Sequence, residues 1–229
     1  KYLWVQLDQN KRAADSKSPL IEGSAIAPVM RPKDFTSKFM TKPLDRGFKI
    51  LEVKDTNGKP LAHMINRTMM RIELPKSLKH GEKYSFSIKW WYNVNDHVKE
   101  DGRSGYEYFP KDKNRAYVIA QFFPRMAVYS DVEGWQNSQF WGRDEFALPF
   151  GDYEVNITVP ADHVLDGTGV LMNRKEVYSK TMMKRFEEAK KSFTEPVIIV
   201  SQEEVEAKEK GFSKETKTWK LKAENVRDF

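Results

Sequence analysis

Alternation between apolar and polar positions predicts a chain built mostly from β-strands. Residues 84–92 show the clearest pattern: every second side chain is aromatic or aliphatic, and Trp91 alone breaks the rule. The same period of two runs through residues 152–159, and Pro160 ends that strand because proline has no N–H for a ladder. Further strands are predicted at residues 2–7, 48–54, 68–74 and 216–223.

Turn signals extend this pattern. Asn57-Gly58 favours a tight hairpin, because both residues tolerate the positive φ values that such turns need. Residues 61–65 are therefore predicted to pair back on the strand that precedes the turn. Three more segments are predicted as strands, the last of them buried: 116–123, 170–172 and 196–200.

Only two segments indicate helix. Residues 182–192 are good helix formers through most of their length. Residues 202–210 follow Ser201, a plausible N-cap with Glu204 three positions later, and stop at Gly211. Since no βαβ rhythm and no internal repeat occurs, we predict a mainly β fold: one antiparallel β-sandwich or saddle-like domain over residues 1–229 with at most two short helices.

Composition narrows the functional classes. A hydrophobic fraction of 39% with 31% charged residues is typical of a globular protein, and no apolar run approaches the roughly 20 residues of a membrane helix. The net charge is +6, but the 39 basic residues are interspersed with 33 acidic ones, which indicates a solvated surface. We expect no nucleic-acid partner and no membrane span. The chain has no cysteine, which excludes disulfides and thiolate metal sites.

Catalytic motifs do not occur in this sequence. The four histidines form no HExxH pair, and there is no GxSxG, SxxK or phosphate-binding glycine loop. His97 stands near Asp96, Glu100 and Asp101, which is either a weak His/carboxylate cluster or an exposed loop histidine. We therefore predict no catalytic residue, no cofactor and no metal site in this chain.

An aromatic-rich stretch between residues 117 and 169 leaves two interpretations open. Its aromatic and basic side chains either fold onto the predicted sheet or contact something outside the chain. The second interpretation includes a free-standing β-sandwich module that binds peptide or carbohydrate through an aromatic surface. The side chains concerned are Phe122, Phe123, Arg125, Trp135, Trp141 and Arg143.

Two strings in this stretch resemble a known family. Residues 121–135 read QFFPRMAVYSDVEGW, and residues 151–160 read GDYEVNITVP. In this order they resemble the N-terminal β domain of aminopeptidase N type zinc metallopeptidases, in a bacterial branch of the family, with Ser130 where the family string has its first aspartate. Residues 2–10 and 217–229 are similar to that branch as well.

This resemblance implies a non-catalytic domain that covers and shapes the substrate cleft of a metallopeptidase. Residues 1–229 would end at the border with a catalytic domain that follows Phe229 and carries the HExxH motif and the zinc. The partners would be that catalytic domain and the peptide substrate. The resemblance also favours export to the bacterial cell envelope.

One residue acquires a role through this resemblance. Gln121 matches the family glutamine that helps to hold the amino terminus of the peptide substrate. The surrounding string departs from the family pattern, because Phe123 stands where an acidic or small residue is expected and Asp131 lies seven residues past Pro124. The alternative is that the Gln121 side chain satisfies a buried backbone group. The resemblance further implies that the six aromatic and basic side chains named above contribute to the interface with the catalytic domain.

Overall fold

The computed structural model describes residues 1–18, 29–36, 40, 44–98, 104–142 and 147–229. Its sheets are antiparallel and its helices short, so the prediction of a mainly β fold is confirmed. The chain divides into two compact units: Lys1–Glu107 with Ala116–Pro149, and Tyr108–Arg115 with Phe150–Phe229. That residues 1–229 form the N-terminal domain of a larger protein remains a prediction.

The first unit contains two sheets that share one core. The larger sheet has the strand order β3-β4-β1-β8, and β2 pairs with β5 in the smaller one. Val5 and Met70 from the larger sheet pack with Val53 from the smaller sheet, and the inward side chains of β5, among them Trp90, lie against them. The strands are β1 (Tyr2–Gln6), β2 (Lys49–Asp55), β3 (His63–Asn66), β4 (Met69–Glu73), β5 (Phe86–Trp91) and β8 (Arg125–Met126).

Two hairpins account for the other strands described before residue 150. β6 (Gly105–Phe109) pairs with β7 (Asn114–Val118), and β9 (Tyr129–Ser130) pairs with β10 (Gly134–Trp135). A 3-10 helix, Asp8–Arg12, follows β1, and a single helical turn, α1, spans Pro32–Phe35. The hydrophobic pattern did not predict these helical turns, because segments so short carry no periodic signal.

The predicted strand over residues 116–123 has different bounds. β7 begins two residues earlier and ends at Val118, and the backbone then turns through Gln121, whose φ is +54°. This left-handed conformation cannot continue a strand, and Pro124 follows three residues later. The apolar run therefore continues past the end of the strand into a loop.

The predicted return of residues 61–65 onto β2 is correct only at its start. The Leu61 amide donates to the Val53 carbonyl (2.9 Å), and Lys54 forms a bridge with Pro60. From His63 onward, β3 pairs with β4 instead, because a second tight turn around Arg67 brings these two strands together.

The second unit is built on the antiparallel sheet β11-β13-β12. The alternation predicted for β11 (Gly151–Pro160) and β13 (Thr216–Val226) is confirmed, since Trp219, Leu221 and Ala223 are all buried on one face. β12 (Val170–Leu171) adds a short third strand. The Thr158 and Thr218 hydroxyls are hydrogen-bonded at 2.8 Å on the opposite face.

Three helices lie between β12 and β13: α2 (Arg174–Val177), α3 (Lys180–Ala189) and α4 (Gln202–Glu209). The sequence predicted α3 and α4, including the Ser201 cap of α4 and its reciprocal partner Glu204. The buried strand predicted at residues 196–200 is wrong. Ile198 is 71% exposed, and the Ile199 carbonyl accepts a hydrogen bond from the Arg185 guanidinium rather than from a neighbouring strand. Among the described residues, no helix has both the length and the apolarity to cross a bilayer.

Candidate functional site

Gln121 lies in the loop between β7 and β8, in a strained backbone conformation. Its φ of +54° is left-handed, which costs a residue with a Cβ roughly 1–2 kcal/mol. Among the described residues, three other non-glycine positions have positive φ, and they lie in hairpin turns or beside the register shift of the β11-β13 pair: Arg67, Lys113 and Asn225. Strain outside a tight hairpin persists only where the surrounding contacts impose it, and it concentrates at functional sites.

Those contacts are hydrogen bonds to the loop backbone. The buried Gln9 amide donates from Nε2 to the carbonyls of Ala120 (3.2 Å) and Gln121 (3.0 Å). The Trp90 indole donates to the Phe122 carbonyl at 3.0 Å, and the Ala120 N–H donates to the hydroxyl of the buried Ser104 at 3.1 Å. Side chains from separate parts of the first unit thus fix consecutive peptide groups around Gln121.

A buried ion pair also stabilises this loop. Asp8 and Arg125 are both buried, and the Arg125 guanidinium donates to the Asp8 carboxylate. Asp8 opens the 3-10 helix that also carries Gln9, while Arg125 belongs to β8, which pairs with β1 through Gln6. The Ala127 amide extends this pairing by donating to the Trp4 carbonyl at 3.0 Å. The turn after β1 and the strand after the loop are therefore locked together.

The Gln121 side chain is not used to hold this structure. It is half-buried and makes no hydrogen bond within the described part of the chain. The alternative considered above was a hydrogen bond from the Gln121 side chain to a buried backbone group. The structure shows the reverse arrangement, because the Gln9 side chain donates to the backbone carbonyl of Gln121. The backbone of Gln121 is therefore held in place by other residues, and its carboxamide takes no part in holding it.

Phe122 and Phe123 form a pair beside Gln121. Their ring centroids are 5.1 Å apart in an edge-to-face arrangement, and both side chains are half-buried. Arg125, grouped with them in the sequence, lies inside the unit, where it pairs with Asp8. Its position makes it a support for the loop rather than part of an outer surface.

Trp135 lies in a second group of aromatic side chains, on the β9-β10 hairpin. Its ring packs edge-to-face on Tyr129 at 5.3 Å, and Tyr129 is 66% exposed. Gly134 permits the turn between the strands with a φ of +71°. The β9-β10 hairpin therefore carries one exposed ring, Tyr129, and one half-buried ring, Trp135.

The segment after β10 folds back onto the turn between β3 and β4. The Gln139 Oε1 accepts hydrogen bonds from the amide and the hydroxyl of Thr68 at 2.9 and 2.8 Å, and the Phe140 amide donates to the same hydroxyl at 2.7 Å. Phe140 is buried. The aromatic-rich stretch therefore contains both kinds of ring: Phe140 is buried, while Tyr129 is exposed.

Trp141 is half-buried beneath Arg67, whose guanidinium carbon lies 5.4 Å from the ring centroid. Arg143, the last of the predicted interface residues, lies outside the described residues, as do Asp144 and Glu145. Trp141 and Arg143 therefore remain predictions for the interface.

The described residues include no group of three or more His, Asp or Glu side chains that could hold a metal ion. The His63 ring nitrogen Nδ1 lies 3.0 Å from the Leu61 carbonyl, and His163 is paired with Asp162. Of the residues considered above as a weak cluster with His97, Glu100 and Asp101 lie outside the described residues.

The residues that support Gln121 could not be singled out from the sequence. Gln9 and Asp8 follow a strand directly and look like ordinary polar turn residues, yet both are buried. Their partners are more than a hundred positions away in the chain, at Gln121 and Arg125. Only the signal that a strand is followed by a run of polar residues could have drawn attention to them.

Comparison with known proteins identifies no relative: no family model, no curated protein and no solved structure matches this chain.

Proposed function

We propose that this chain is the non-catalytic N-terminal β domain of a zinc aminopeptidase-like metallopeptidase. In this role it covers and shapes the substrate cleft and helps to hold the amino terminus of the peptide. The catalytic domain, which carries the HExxH motif and the zinc, would follow Phe229. The proposal rests on the resemblance of residues 121–135 and 151–160 to that family and on the geometry around Gln121.

The observation that carries the proposal is the arrangement of the Gln121 loop. Its backbone is held in a strained conformation by Gln9 and Trp90, while its own side chain makes no hydrogen bond within the described residues. A side chain that only filled space would not require this arrangement. A group that must meet a ligand at a fixed point does, because preorganisation lowers the entropy lost on binding.

The chemistry of a carboxamide suits an ammonium group. The Oε1 atom of Gln121 can accept a charge-assisted hydrogen bond from a substrate amino terminus, and such bonds contribute about 1.5–3 kcal/mol. An uncharged acceptor selects the amine without adding a carboxylate that would pair with other cations. Gln121 would thus act in binding and positioning rather than in the hydrolytic step.

No residue of this chain is assigned to the zinc. No described histidine belongs to a group of three or more His, Asp or Glu side chains, so the residues present there do not fit a zinc centre. When bound in the catalytic domain, zinc would activate the water that attacks the peptide bond. This chain would contribute the wall of the cleft and the Gln121 contact.

Substitution of Gln121 in the full-length enzyme tests the proposed role. Gln121→Ala should raise KM for peptides with a free amino terminus by about fivefold or more and leave kcat within about twofold, because a contact made equally in the ground state and the transition state is lost. Gln136→Ala, at another half-buried glutamine of the same unit, is the matched control and should change neither constant. Peptide kinetics identical in the two variants would rule out the Gln121 contact.

One observation favours a second function, a free-standing module that binds peptide or carbohydrate. The Tyr129–Trp135 pair has an exposed ring of the kind that stacks on sugars. If soluble oligosaccharides changed the tryptophan fluorescence of the chain and Tyr129→Ala abolished the change, this alternative would replace the metallopeptidase proposal.

A further inference from the structure

β11 is an edge strand of the second unit, and its outer side has no partner strand within the described residues. The sheet has the order β11-β13-β12, so β13 occupies one side of β11. The strand spans ten residues, Gly151–Pro160, and pairs with β13 along almost all of them. Its other side therefore runs along no described strand.

The hydrogen bonds of β13 show which residues of β11 point outward. The Lys220 carbonyl accepts from the Met172 amide (2.7 Å), and the Lys220 amide donates to Oδ1 of Asn173 (2.9 Å), so both groups point away from β11. Lys220 lies opposite Asn156, whose own backbone groups consequently face the open side. Because the pattern alternates, three residues present N–H and C=O groups there: Glu154, Asn156 and Thr158. No described residue is hydrogen-bonded to these groups.

Residues 153–159 lack most of the features by which proteins block pairing at a strand edge. They contain no proline, glycine, lysine or arginine, and the register shift of the β11-β13 pair lies before them, at the start of the strand. Glu154 is their one charged residue, and it lies opposite Lys222 on β13, which offsets its charge. The edge can therefore receive another strand, because its outward N–H and C=O groups can extend the ladder.

The apolar face of this sheet is incompletely covered at the same edge. Three side chains of β11 are half-buried there: Val155, Ile157 and Val159. Trp219 and Leu221, next to them on β13, are only 2% and 3% exposed. A further strand with apolar side chains on this face would remove the β11 row from water, which is favourable.

The sequence of this edge is complementary to itself. When two copies of β11 run antiparallel with Asn156 opposite Asn156, Glu154 of each copy lies opposite Thr158 of the other. The outward residues then form about six main-chain hydrogen bonds, two for each of the three pairs. On the apolar face, Val155 lies opposite Ile157 of the second copy. No two like charges face each other in this arrangement.

Neighbouring registers satisfy the edge less well. A pair centred on Ile157 places Glu154 opposite Pro160, which has no N–H to donate. A pair centred on Val155 includes Asp152, which lies within the register shift. A pair centred on Glu154 places two carboxylates directly opposite each other, which is destabilising.

We propose that β11 pairs with β11 of a second copy of this chain, centred on Asn156, and so forms a two-fold symmetric dimer with one continuous sheet. The self-complementary register favours a second copy over an unrelated peptide. Because this interface is a single strand edge and therefore small, we expect a dissociation constant on the order of 0.1 mM. The interface does not involve Gln121, so the inference is independent of the proposed function.

Disulfide crosslinking of the full chain tests the interface, because the native sequence has no cysteine. Asn156→Cys should form a linked dimer under mild oxidation, since a hydrogen-bonded pair places the two Cα atoms about 5.5 Å apart, within the range of disulfides. Lys220→Cys is the matched control, on the same face of β13 and opposite Asn156. It should stay monomeric, because two strands separate it from its copy.

A mixture of two variants tests the register. Glu154→Cys alone and Thr158→Cys alone should each stay monomeric, because four residues, roughly 13 Å, separate each position from its copy along the strand. An equimolar mixture of the two should crosslink, since each position lies opposite the other. Crosslinking of either variant alone at the rate of the mixture would contradict this register.

Sedimentation equilibrium measures the dimer without any crosslink. Asn156→Pro removes an outward N–H that β13 does not use, so the fold should persist while the dimer weakens by about tenfold or more. Asn156→Asp leaves the backbone intact and should also weaken the dimer at pH 7, because two carboxylates then face each other. Asn156→Ala is the control and should weaken it by less than about threefold.

Three results would overturn the proposal. The first is a native chain that stays monomeric at about 1 mM, where most of it should be dimeric. The second is crosslinking of Asn156→Cys that is no faster than that of Lys220→Cys. The third is a dimer that Asn156→Pro and Asn156→Asp both leave unchanged, which would place the interface elsewhere. None of these results depends on the peptide kinetics of Gln121→Ala.

Discussion

At the scale of single residues, the polar groups of the first unit differ in burial and in hydrogen bonding. Gln9, Asp8 and Arg125 are buried and engaged, while the Gln121 carboxamide makes no hydrogen bond to described residues. Burying polar groups costs free energy unless they are paired. Here the paired groups hold the loop in a fixed position. The strained backbone of Gln121 belongs to the same arrangement.

The buried ion pair gives the sharpest prediction at this scale. Arg125→Met should lower the free energy of unfolding by about 3–5 kcal/mol, because it leaves the Asp8 carboxylate buried without its cation. The double variant Arg125→Met with Asp8→Leu should recover most of this loss. Urea denaturation measures both.

The control for this prediction is Lys76→Met. Lys76 forms an exposed pair with Glu82 at 3.6 Å and should contribute less than about 1 kcal/mol. A loss in Arg125→Met no larger than in Lys76→Met would show that the Asp8–Arg125 pair does not lock the loop.

At the scale of secondary structure, α4 is stabilised by contacts at its N-terminus rather than by burial in the core. It has no buried residue, and its sequence is mostly charged. The Ser201 side chain and Glu204 cap each other's backbone amides, and the Glu204 carboxylate also pairs with Arg185 from α3. Removal of these terminal contacts should therefore release the helix without disturbing the sheet.

Arg185→Gln should increase amide exchange in residues 202–209 by several-fold, with β11 and β13 unchanged, because the link between α3 and α4 is lost. Hydrogen exchange followed by mass spectrometry measures this. Lys184→Gln, one position earlier and exposed, is the control. Equal exchange in the two variants would show that Arg185 contributes nothing to α4.

The same cap should respond to acid. The Ser201 backbone amide, followed by Arg185, holds the pKa of Glu204 below its usual value of 4.5. Because this pKa is lowered in the folded chain, the stabilisation is complete above the unfolded value and disappears as pH falls through the folded one. Protection of residues 202–209 should accordingly decline below about pH 4. In Arg185→Gln the decline should begin at higher pH.

At the scale of the whole molecule, the sequence predicted what local rules determine. The alternation in β5, β11 and β13 and the capping box of α4 are local signals, and each is confirmed. What the sequence could not predict depends on partners distant in the chain. β3 pairs with β4 because of a second turn, and residues 196–200 have an apolar composition but no strand beside them.

The candidate site likewise has features that the sequence could predict and features that it could not. Resemblance to the family identified Gln121 as a candidate, but its support by Gln9 and Trp90 depends on contacts between distant parts of the chain. The opposite fates of Phe140 and Tyr129 could not be predicted either, because both belong to one aromatic-rich segment. Whether an aromatic side chain is core or surface is decided by the sheet it meets.

We propose that this chain belongs to a zinc aminopeptidase-like metallopeptidase, and the coding sequence that follows the codon for Phe229 tests this proposal most directly. We expect an open reading frame that continues and encodes an HExxH motif with a further glutamate downstream. A reading frame that stopped at Phe229, or continued without HExxH, would contradict the metallopeptidase assignment.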